Sequence, residues 1–320
     1  MAIHNTFPLN LGGIFFCDYD TIRGDAAKTI CLFFNFFSFS FIILFTGCVS
    51  LARPELSAEE ESSLYPVASY VPEVFEWKEV CPGVSRFDFE NTDFPLIYHA
   101  VKIDLSSAGP GGTLELVCEQ GQGTAKFATH KECAVAVNAT PFTSSGQLVG
   151  IHKVAGELVS QPVARYAAIG FREELSTKGG RAGGDSGDVR YRRGYTARIF
   201  TSQVDGELEE WPYAFGGFFV VLKNGEVRTE FIRRSDSRSG AGLSADGRTL
   251  YLLVVEGERP SQSRGLSYPQ CGEIFRAMGC YDALEFDGGS SAELCINGQS
   301  VMSYHVHHVQ KNSFGFKLAK

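Results

Sequence analysis

The chain has 320 residues, a formal net charge of −8 at pH 7 and a hydrophobic fraction of 44%. This length suits one large folded domain or two modest ones. The acidic balance argues against nucleic acid as a partner, since nucleic-acid-binding proteins depend on basic patches.

The first feature along the chain is an almost wholly apolar run at residues 30–47, preceded by Arg23 and Lys28 and followed by Cys48. A charged flank, an apolar centre and a small residue at the cleavage point define a secretory signal. We therefore expect a lipoprotein-type signal over residues 1–47, with Cys48 as the lipidated residue. A transmembrane anchor is the alternative, because the run is near the lower limit of about 17–25 residues for a spanning helix. Either interpretation predicts a protein of the cell envelope, on the periplasmic or outer-surface face.

Polar segments flank the apolar run on both sides. Residues 1–27 carry Asp18, Asp20 and Asp25, which is unusual for a leader, so we expect the true start to lie downstream of Met1. Residues 48–70 are rich in Glu, Ser and Pro, which is typical of a solvated tether. The folded domain is predicted at 71–320.

Cysteine and histidine usage gives little support for a metal or another cofactor. Six cysteines follow Cys48, an even number that permits disulfides in an exported protein but leaves their pairing open. His305, His307 and His308 lie within four residues but have no matching cysteine cluster. On a strand, alternation would place His305 and His307 on one face and His308 on the other. We therefore expect no metal site and no cofactor.

The middle of the domain combines strands with one glycine-rich stretch. Alternating apolar residues predict strands at 84–89, 96–105 and 113–117. Residues 173–196, which include a run of glycines and polar residues, are predicted to form a flexible insertion, with a substrate lid as the less favoured alternative.

Turn residues between apolar runs predict three hairpins in the second half of the chain. They join 218–222 to 227–232 across Asn224-Gly225, 242–244 to 249–255 across 245–248, and 293–296 to 301–306 across Asn297-Gly298.

One helix is predicted at 268–278. Ser267 suits the N-cap, Pro269 suits the first turn and Gly279 suits the C-terminal end. A single apolar face is made by Cys271, Ile274, Phe275 and Met278. Together the elements predict an α+β fold, a single domain with a curved, mixed or antiparallel sheet and few helices.

The most informative stretch is Asp287-Gly288-Gly289-Ser290-Ser291, which follows a predicted buried strand at 282–286. Glycine lets the backbone approach a bound group closely, and consecutive turn amides can form an anion-binding concavity. The same residues are also typical of a simple tight turn, so both interpretations remain open.

Four stretches of this sequence, read together, resemble the phosphodiester glycosidase family. The last of them, which holds the helix and the Asp287 turn, is the most specific. The chain departs from the family pattern where Ser290 replaces a third glycine and where Ser239-Gly240 replace Thr-Ala. The four stretches are 134–142, 149–157, 238–250 and 257–291.

The resemblance implies a hydrolase that cleaves the glycosidic bond of sugar-1-phosphate diesters, such as N-acetylglucosamine-1-phosphodiester, in envelope or exported glycans. Asp287 is then the candidate catalytic carboxylate. Arg238 is the candidate phosphate clamp, because a guanidinium forks onto phosphate oxygens. The backbone amides of Gly288, Gly289 and Ser290 and the hydroxyls of Ser290 and Ser291 would complete a phosphate cradle.

Three further residues are weaker candidates. Glu285 is a possible partner carboxylate, since it lies two residues before Asp287 and hence on the same strand face. Asn138 would bind a sugar hydroxyl or a phosphate oxygen, and His152 would carry protons near neutral pH. The alternatives are a turn cap for Asp287, a surface ion pair for Arg238, a strand-end residue for Asn138, a solvated residue for Glu285 and an exposed loop residue for His152.

Two other functions remain open besides hydrolysis. The first is a glycan-binding lipoprotein that keeps the pocket without the chemistry, and the second is a structural envelope lipoprotein. The expected partners are a phosphate-linked glycan and, through the lipid, a membrane.

Overall fold

The computed structural model describes residues 66–108, 113–177, 191–230 and 234–319. The predicted signal, Cys48 and most of the tether lie outside these residues. Within them, no helix has both the length and the apolar character needed to cross a bilayer. The final residues assigned to the tether belong to the fold, because Val67–Ser69 forms a short 3-10 turn and Tyr70 is buried in a core cluster.

The described residues form eighteen strands and two α-helices. The helices are α1 (Thr124–His130) and α2 (Tyr268–Met278). The strands of the first half are β1 (Lys78–Cys81), β2 (Val84–Asn91), β3 (Leu96–Asp104), β4 (Leu114–Gln120), β5 (Cys133–Asn138), β6 (His152–Val154), β7 (Glu157–Ser160), β8 (Ala168–Thr177) and β9 (Tyr191–Phe200). Those of the second half are β10 (Tyr213–Gly216), β11 (Val220–Lys223), β12 (Glu226–Val227), β13 (Arg238–Leu243), β14 (Thr249–Val255), β15 (Asp282–Glu285), β16 (Leu294–Ile296), β17 (Gln299–Ser300) and β18 (Asn312–Leu318).

The strands build three sheets. An eight-stranded sheet has the order β1-β2-β3-β14-β13-β15-β11-β12, and two five-stranded sheets have the orders β7-β6-β10-β8-β9 and β17-β16-β5-β18-β4. Every pairing between these strands is antiparallel. The α+β fold class with antiparallel sheets and few helices is confirmed, although the strands divide among three sheets.

The main hydrophobic core lies where the three sheets meet, and a second cluster lies between the large sheet and α2. Successive residues of β13 point in turn to the main core and to the second cluster. Ala241 and Leu243 face the main core, whereas Gly240 and Gly242 face α2. A Cβ on Gly242 would lie 2.7 Å from the Phe275 ring, so glycine is needed for α2 to pack this closely.

Helix α2 has the predicted bounds. The side chain of Ser267 caps the helix through a reciprocal capping box with Gln270, and Gly279 ends it in the left-handed conformation with φ of 95°. The predicted apolar face is buried, because Cys271, Ile274 and Phe275 have no exposed surface.

The predicted hairpin turns are present, but two of their second arms are not the predicted strands. Asn224-Gly225 and Asn297-Gly298 have positive φ at both positions, as a tight two-residue hairpin requires. Of the strand predicted at 227–232, only Val227 belongs to a strand, β12, whereas 228–230 do not and 231–232 lie outside the described residues. The strand predicted at 301–306 is absent, because those residues pack side chains against the main core without joining a sheet.

The predicted flexible insertion at 173–196 is partly wrong. Its two ends belong to β8 and β9, which pair in register from Ala168 opposite Phe200 to Thr177 opposite Tyr191. Backbone pairing, which sequence composition does not reveal, overrides the polar character of these ends. Residues 178–190 lie outside the described residues. All six cysteines of the described part are free thiols.

Candidate active site

The Asp287 turn is fastened to the end of β5 by backbone and side-chain hydrogen bonds. The Asp287 amide donates to the Ala139 carbonyl at 3.1 Å. The Asn138 side-chain amide donates to the Asp287 carbonyl at 2.6 Å, and its oxygen accepts from the Glu293 amide at 3.1 Å. Asn138 is only 1% exposed. One end of the Asn138 side chain thus holds the Asp287 carbonyl and the other holds the Glu293 amide just after the turn, which gives Asn138 a structural role, while its substrate contact stays a prediction.

The two glycines of the turn pack against the start of β13. The Gly289 amide donates to the Ser237 carbonyl at 2.9 Å, and Gly289 has a φ of 56°. A Cβ on Gly288 would lie 2.8 Å from the same carbonyl oxygen. The predicted phosphate cradle is corrected at Gly289, whose amide is already bonded. The amides of Gly288 and Ser290 are left as the cradle candidates in this turn.

The Asp287 carboxyl lies in a partly buried position. Burial raises its pKa to about 6, and a hydrogen bond with the Ser291 side chain opposes that shift. At pH 7 the group is therefore mostly ionised, while it remains a better proton acceptor than an ordinary aspartate. Ser291, predicted to contact phosphate, contacts this carboxylate instead.

Glu285, the last residue of β15, is buried next to Arg238 of β13 and Cys271 of α2. It is only 1% exposed, and burial raises its pKa to about 8, although the positive charge of Arg238 and the Cys271 side chain oppose the shift. Its carboxyl is therefore mostly protonated at pH 7. The solvated alternative for Glu285 is wrong. The predicted shared face also fails, because β15 ends at Glu285 and different groups surround the two carboxyls.

Arg238 is buried, with 7% exposure, and its guanidinium is held by the protein. Nε donates to the Leu266 carbonyl at 2.8 Å and Nη2 to the Arg234 carbonyl at 2.6 Å. The guanidinium also stacks over the Tyr268 ring at 4.3 Å. The surface ion-pair alternative is wrong, and two of the donors needed for a phosphate fork are engaged by carbonyl oxygens.

His152 is fully buried on β6 beside the Phe215 ring, at 5.3 Å between centroids. Burial lowers its pKa to about 4. Neither ring nitrogen has a hydrogen-bond partner within the described part of the chain. His152 is therefore neutral at pH 7, and the exposed-loop alternative is wrong because the ring is buried. The predicted proton transfer stays a prediction, which the lowered pKa argues against.

Thr140 and Asn312 support the site, and the sequence analysis missed both. The Asn312 side chain accepts from the Thr140 amide at 2.8 Å and donates to the Thr140 carbonyl at 2.6 Å. The Thr140 hydroxyl accepts from the Gly216 amide at 3.1 Å and lies 3.3 Å from the Ile151 carbonyl. These bonds fix the chain next to Ala139, which receives the Asp287 amide. No sequence signal could pair Thr140 with a residue 172 positions away.

Residues 301–310, the covering segment, run beside the Asp287 turn. The Gln310 side chain donates to the Ser291 carbonyl at 3.1 Å. Burial raises the pKa of the Tyr304 hydroxyl to about 12, against the opposing effect of the neighbouring Ser237 hydroxyl. The ring of His308 lies 5.3 Å from that of Phe142.

The three histidines of the covering segment, His305, His307 and His308, do not follow the predicted alternation, since this segment is not a strand. The His305 and His307 rings contact each other at 4.7 Å. Across residues 66–319, gaps excepted, no group of three or more His, Cys, Asp or Glu side chains is arranged to hold a metal ion.

This site lies inside a region shared with known proteins. The profile of the phosphodiester glycosidase family matches residues 131–316, which is more than half of the chain and includes Asn138, His152, Arg238 and Asp287. The chain belongs to this family.

Individual relatives are more distant. The chain is 25% identical over 186 residues to the SPbeta prophage-derived uncharacterized protein YomE of Bacillus subtilis strain 168. That match covers 55% of this chain and 26% of YomE, so the chain spans about a quarter of this relative's length.

Two solved structures share the fold. A hypothetical protein from Synechocystis has a TM-score of 0.57 at 16% identity, over 77% of this chain and 64% of that one. The catalytic domain of zebrafish N-acetylglucosamine-1-phosphodiester alpha-N-acetylglucosaminidase has a TM-score of 0.52 at 16% identity, over 78% of this chain and 86% of that one.

Proposed function

We propose that this protein hydrolyses the glycosidic bond of sugar-1-phosphate diesters, with Asp287 as the catalytic carboxylate. The observation that carries the proposal is the state of Asp287. Its backbone is fixed on both sides by Ala139 and Asn138, and burial raises the pKa of its carboxyl to about 6. Family membership supports the reaction class, and the zebrafish structure bears the name of such an enzyme.

The reaction breaks the bond between the anomeric carbon and a phosphate oxygen. The phosphate leaves with the bonding electron pair as a monoester, which is a good leaving group and needs little acid assistance. A water oxygen then forms the new bond to the anomeric carbon, and Asp287 accepts a proton from that water or stabilises the oxocarbenium-like centre.

The phosphate would be held by the backbone of the Asp287 turn. The amides of Gly288 and Ser290 are suited to donate to its oxygens, and Ser290 is exposed. Arg238 contributes positive charge from behind the turn. Because Nε and Nη2 of Arg238 already donate to carbonyl oxygens, we propose that Arg238 chiefly shapes the wall of the site.

The test is release of free sugar from a panel of sugar-1-phosphate diesters by the purified protein. The comparison uses wild type, Asp287→Asn and the matched control Asp282→Asn. Asp282 is the first residue of β15, the strand that leads into the turn, and it pairs with Lys223 at 2.9 Å, away from the turn. We expect turnover in wild type and the control, and a loss of at least about a hundredfold in Asp287→Asn. Equal turnover by Asp287→Asn and wild type would contradict the role of Asp287.

A glycan-binding protein without chemistry is the second candidate. It is favoured by the engagement of the Gly289 amide and of two Arg238 donors, which leaves fewer groups for phosphate. Glycan binding by the wild type, with no turnover on any diester of the panel, is the result this candidate predicts.

We also propose, from the sequence, that the protein is anchored in a cell envelope by a lipid on Cys48. Metabolic labelling with a radioactive fatty acid tests this proposal. Wild type should carry the label and partition into membranes, whereas Cys48→Ala should not be labelled. A labelled Cys48→Ala chain would contradict the assignment.

A further inference from the structure

A buried histidine on β3 of the large sheet lies between two carboxylates, outside the machinery assigned above. His99 is 8% exposed. Its Nδ1 lies 2.7 Å from Asp88 Oδ1, and its Nε2 lies 3.1 Å from Glu256 Oε1. Two carboxylate partners require hydrogen on both ring nitrogens, so the geometry fits an imidazolium.

The hydrogen-bonded chain continues from Glu256 into the covering segment. Glu256 is 2% exposed. Its Oε1 accepts from the Ser303 amide at 2.7 Å, and its Oε2 accepts from the Ser303 hydroxyl. Asp88, His99, Glu256 and Ser303 therefore form one continuous path from β2 to the segment that runs beside the Asp287 turn.

The covering segment is thus attached at two places. Near its start, Ser303 is bonded to Glu256, and the adjoining Tyr304 lies next to Ser237, whose carbonyl receives the Gly289 amide. At its end, Gln310 donates to the Ser291 carbonyl. The segment therefore reaches the Asp287 turn through Tyr304 and Ser237 near its start and through Ser291, a residue of the turn, at its end.

We propose that Glu256, paired with His99, is a positioning residue that fixes Ser303 and so holds the covering segment, residues 301–310, beside the Asp287 turn. The catalytic part of this proposal rests on the proposed function. A buried ion pair is an inefficient way to gain stability, because apolar residues of the same volume stabilise a core as well or better. The hydrogen-bonded path of Asp88, His99 and Glu256 ends at Ser303 in an irregular segment next to the site. Directional bonds fix the position of Ser303 there more closely than apolar packing would.

The charges around His99 set the pH range in which His99 and Glu256 contribute to stability. They are Asp88 and its partner Arg86 on β2, and Glu256 after β14, while Tyr304 of the covering segment lies near Glu256. Burial lowers the pKa of His99, but the bonds and charges of the two carboxylates raise it overall. The pKa of Glu256 is lowered, because His99 and Ser303 outweigh its burial. The stability that His99 contributes is therefore lost as pH rises through its pKa, and the stability that Glu256 contributes is lost as pH falls through its pKa.

The test combines hydrogen exchange of residues 301–310 with steady-state kinetics on a small sugar-1-phosphate diester. The variants are Glu256→Gln, Ser303→Ala and Ser303→Thr, the last of which keeps the hydroxyl. The matched control is Glu119→Gln, which removes a similar carboxylate that pairs with His130 at 3.4 Å and Lys131 at 3.2 Å on the surface.

We expect exchange in the covering segment to rise about tenfold in Glu256→Gln and Ser303→Ala, with a fall in kcat of similar size. Ser303→Thr should restore both values, and the control should change neither. Ser303 is exposed, so Ser303→Ala should fold even where Glu256→Gln does not. Unchanged exchange in Ser303→Ala, or raised exchange with unchanged kcat, would overturn the proposal. If wild type cleaves no diester, the proposed function fails, while the exchange data still decide whether Glu256 holds the segment.

Discussion

Glu285 and Asp287 are carboxyls two residues apart, and their surroundings give them opposite states at neutral pH. Glu285 is the last residue of β15 and is enclosed with Arg238 and Cys271, where burial raises its pKa to about 8. Asp287 lies beyond the strand end, is partly open and contacts Ser291, and its pKa rises only to about 6. The depth of burial therefore determines which of the two is ionised at pH 7 and fit to act as a base.

Of the variants that change the surroundings of these two carboxyls, Arg238→Ala should lower the free energy of unfolding most. Arg238→Ala removes one of the two donors to the Leu266 carbonyl, which keeps the Asp236 amide at 3.3 Å. It also removes the side-chain donor to the Arg234 carbonyl and deprives Glu285 of the nearby positive charge. We expect a loss of about 4 kcal/mol in the free energy of unfolding, because two charge-assisted hydrogen bonds and the contact with the Tyr268 ring are lost together. Urea unfolding measures this loss. A variant as stable as wild type, with only a raised KM, would instead support the phosphate clamp.

The buried state of Glu285 should appear as pH-dependent stability. Its folded pKa lies above the unfolded value of 4.5, so its contribution is complete below that pH and is lost as pH rises towards about 8. Wild type should lose about 3 kcal/mol of unfolding free energy between pH 5 and pH 8 through this group. Glu285→Gln should lack that loss and keep its catalytic activity. Denaturant titrations at both pH values test this expectation, which fails if the two proteins show the same pH dependence.

Local sequence was sufficient for the elements that carry these two carboxyls. Ser267, Pro269 and Gly279 mark the bounds of α2, and the Asn-Gly pairs mark two tight turns, because capping and positive φ are properties of adjacent residues. The Asp287 turn was also located from its glycines and the strand before it.

The burial of individual polar side chains and the contacts between residues far apart in the chain could not be predicted from the sequence. Asn138 was predicted to bind substrate and His152 to carry protons, yet both are buried by strands distant in sequence. The bonds of Asn312 to Thr140 and of Glu256 to Ser303 join residues far apart in the chain. The tertiary fold determines such contacts, because it brings strand ends and the irregular segment 301–310 together.

Asn138→Ala should disturb the position of Asp287 and leave the surroundings of Glu285 intact. The variant leaves the Asp287 carbonyl and the Glu293 amide without their partner. We expect a loss of about 2–3 kcal/mol in unfolding free energy and a fall in kcat with little change in KM. Thermal unfolding and steady-state kinetics measure these effects. A raised KM with unchanged kcat would support Asn138 as a substrate contact.

The smallest expected effect concerns His152, a base that burial holds neutral. Its folded pKa of about 4 lies below the unfolded value of 6.5, so its contribution to stability is complete above pH 6.5 and is lost as pH falls towards 4. We expect wild type to lose about 2 kcal/mol between pH 7 and pH 5 through this group. His152→Phe should lack this loss and keep its activity at pH 7. A variant inactive at pH 7 despite native stability would contradict the non-catalytic assignment.

The pH dependence of kcat/KM for hydrolysis of a sugar-1-phosphate diester tests the role of Asp287 most directly. If its carboxylate carries the reaction, activity rises with pH through a midpoint near 6, and Glu285→Gln leaves that midpoint in place. A midpoint near 8 that disappears in Glu285→Gln would assign the reaction to the buried carboxyl of Glu285 and contradict the assignment to Asp287.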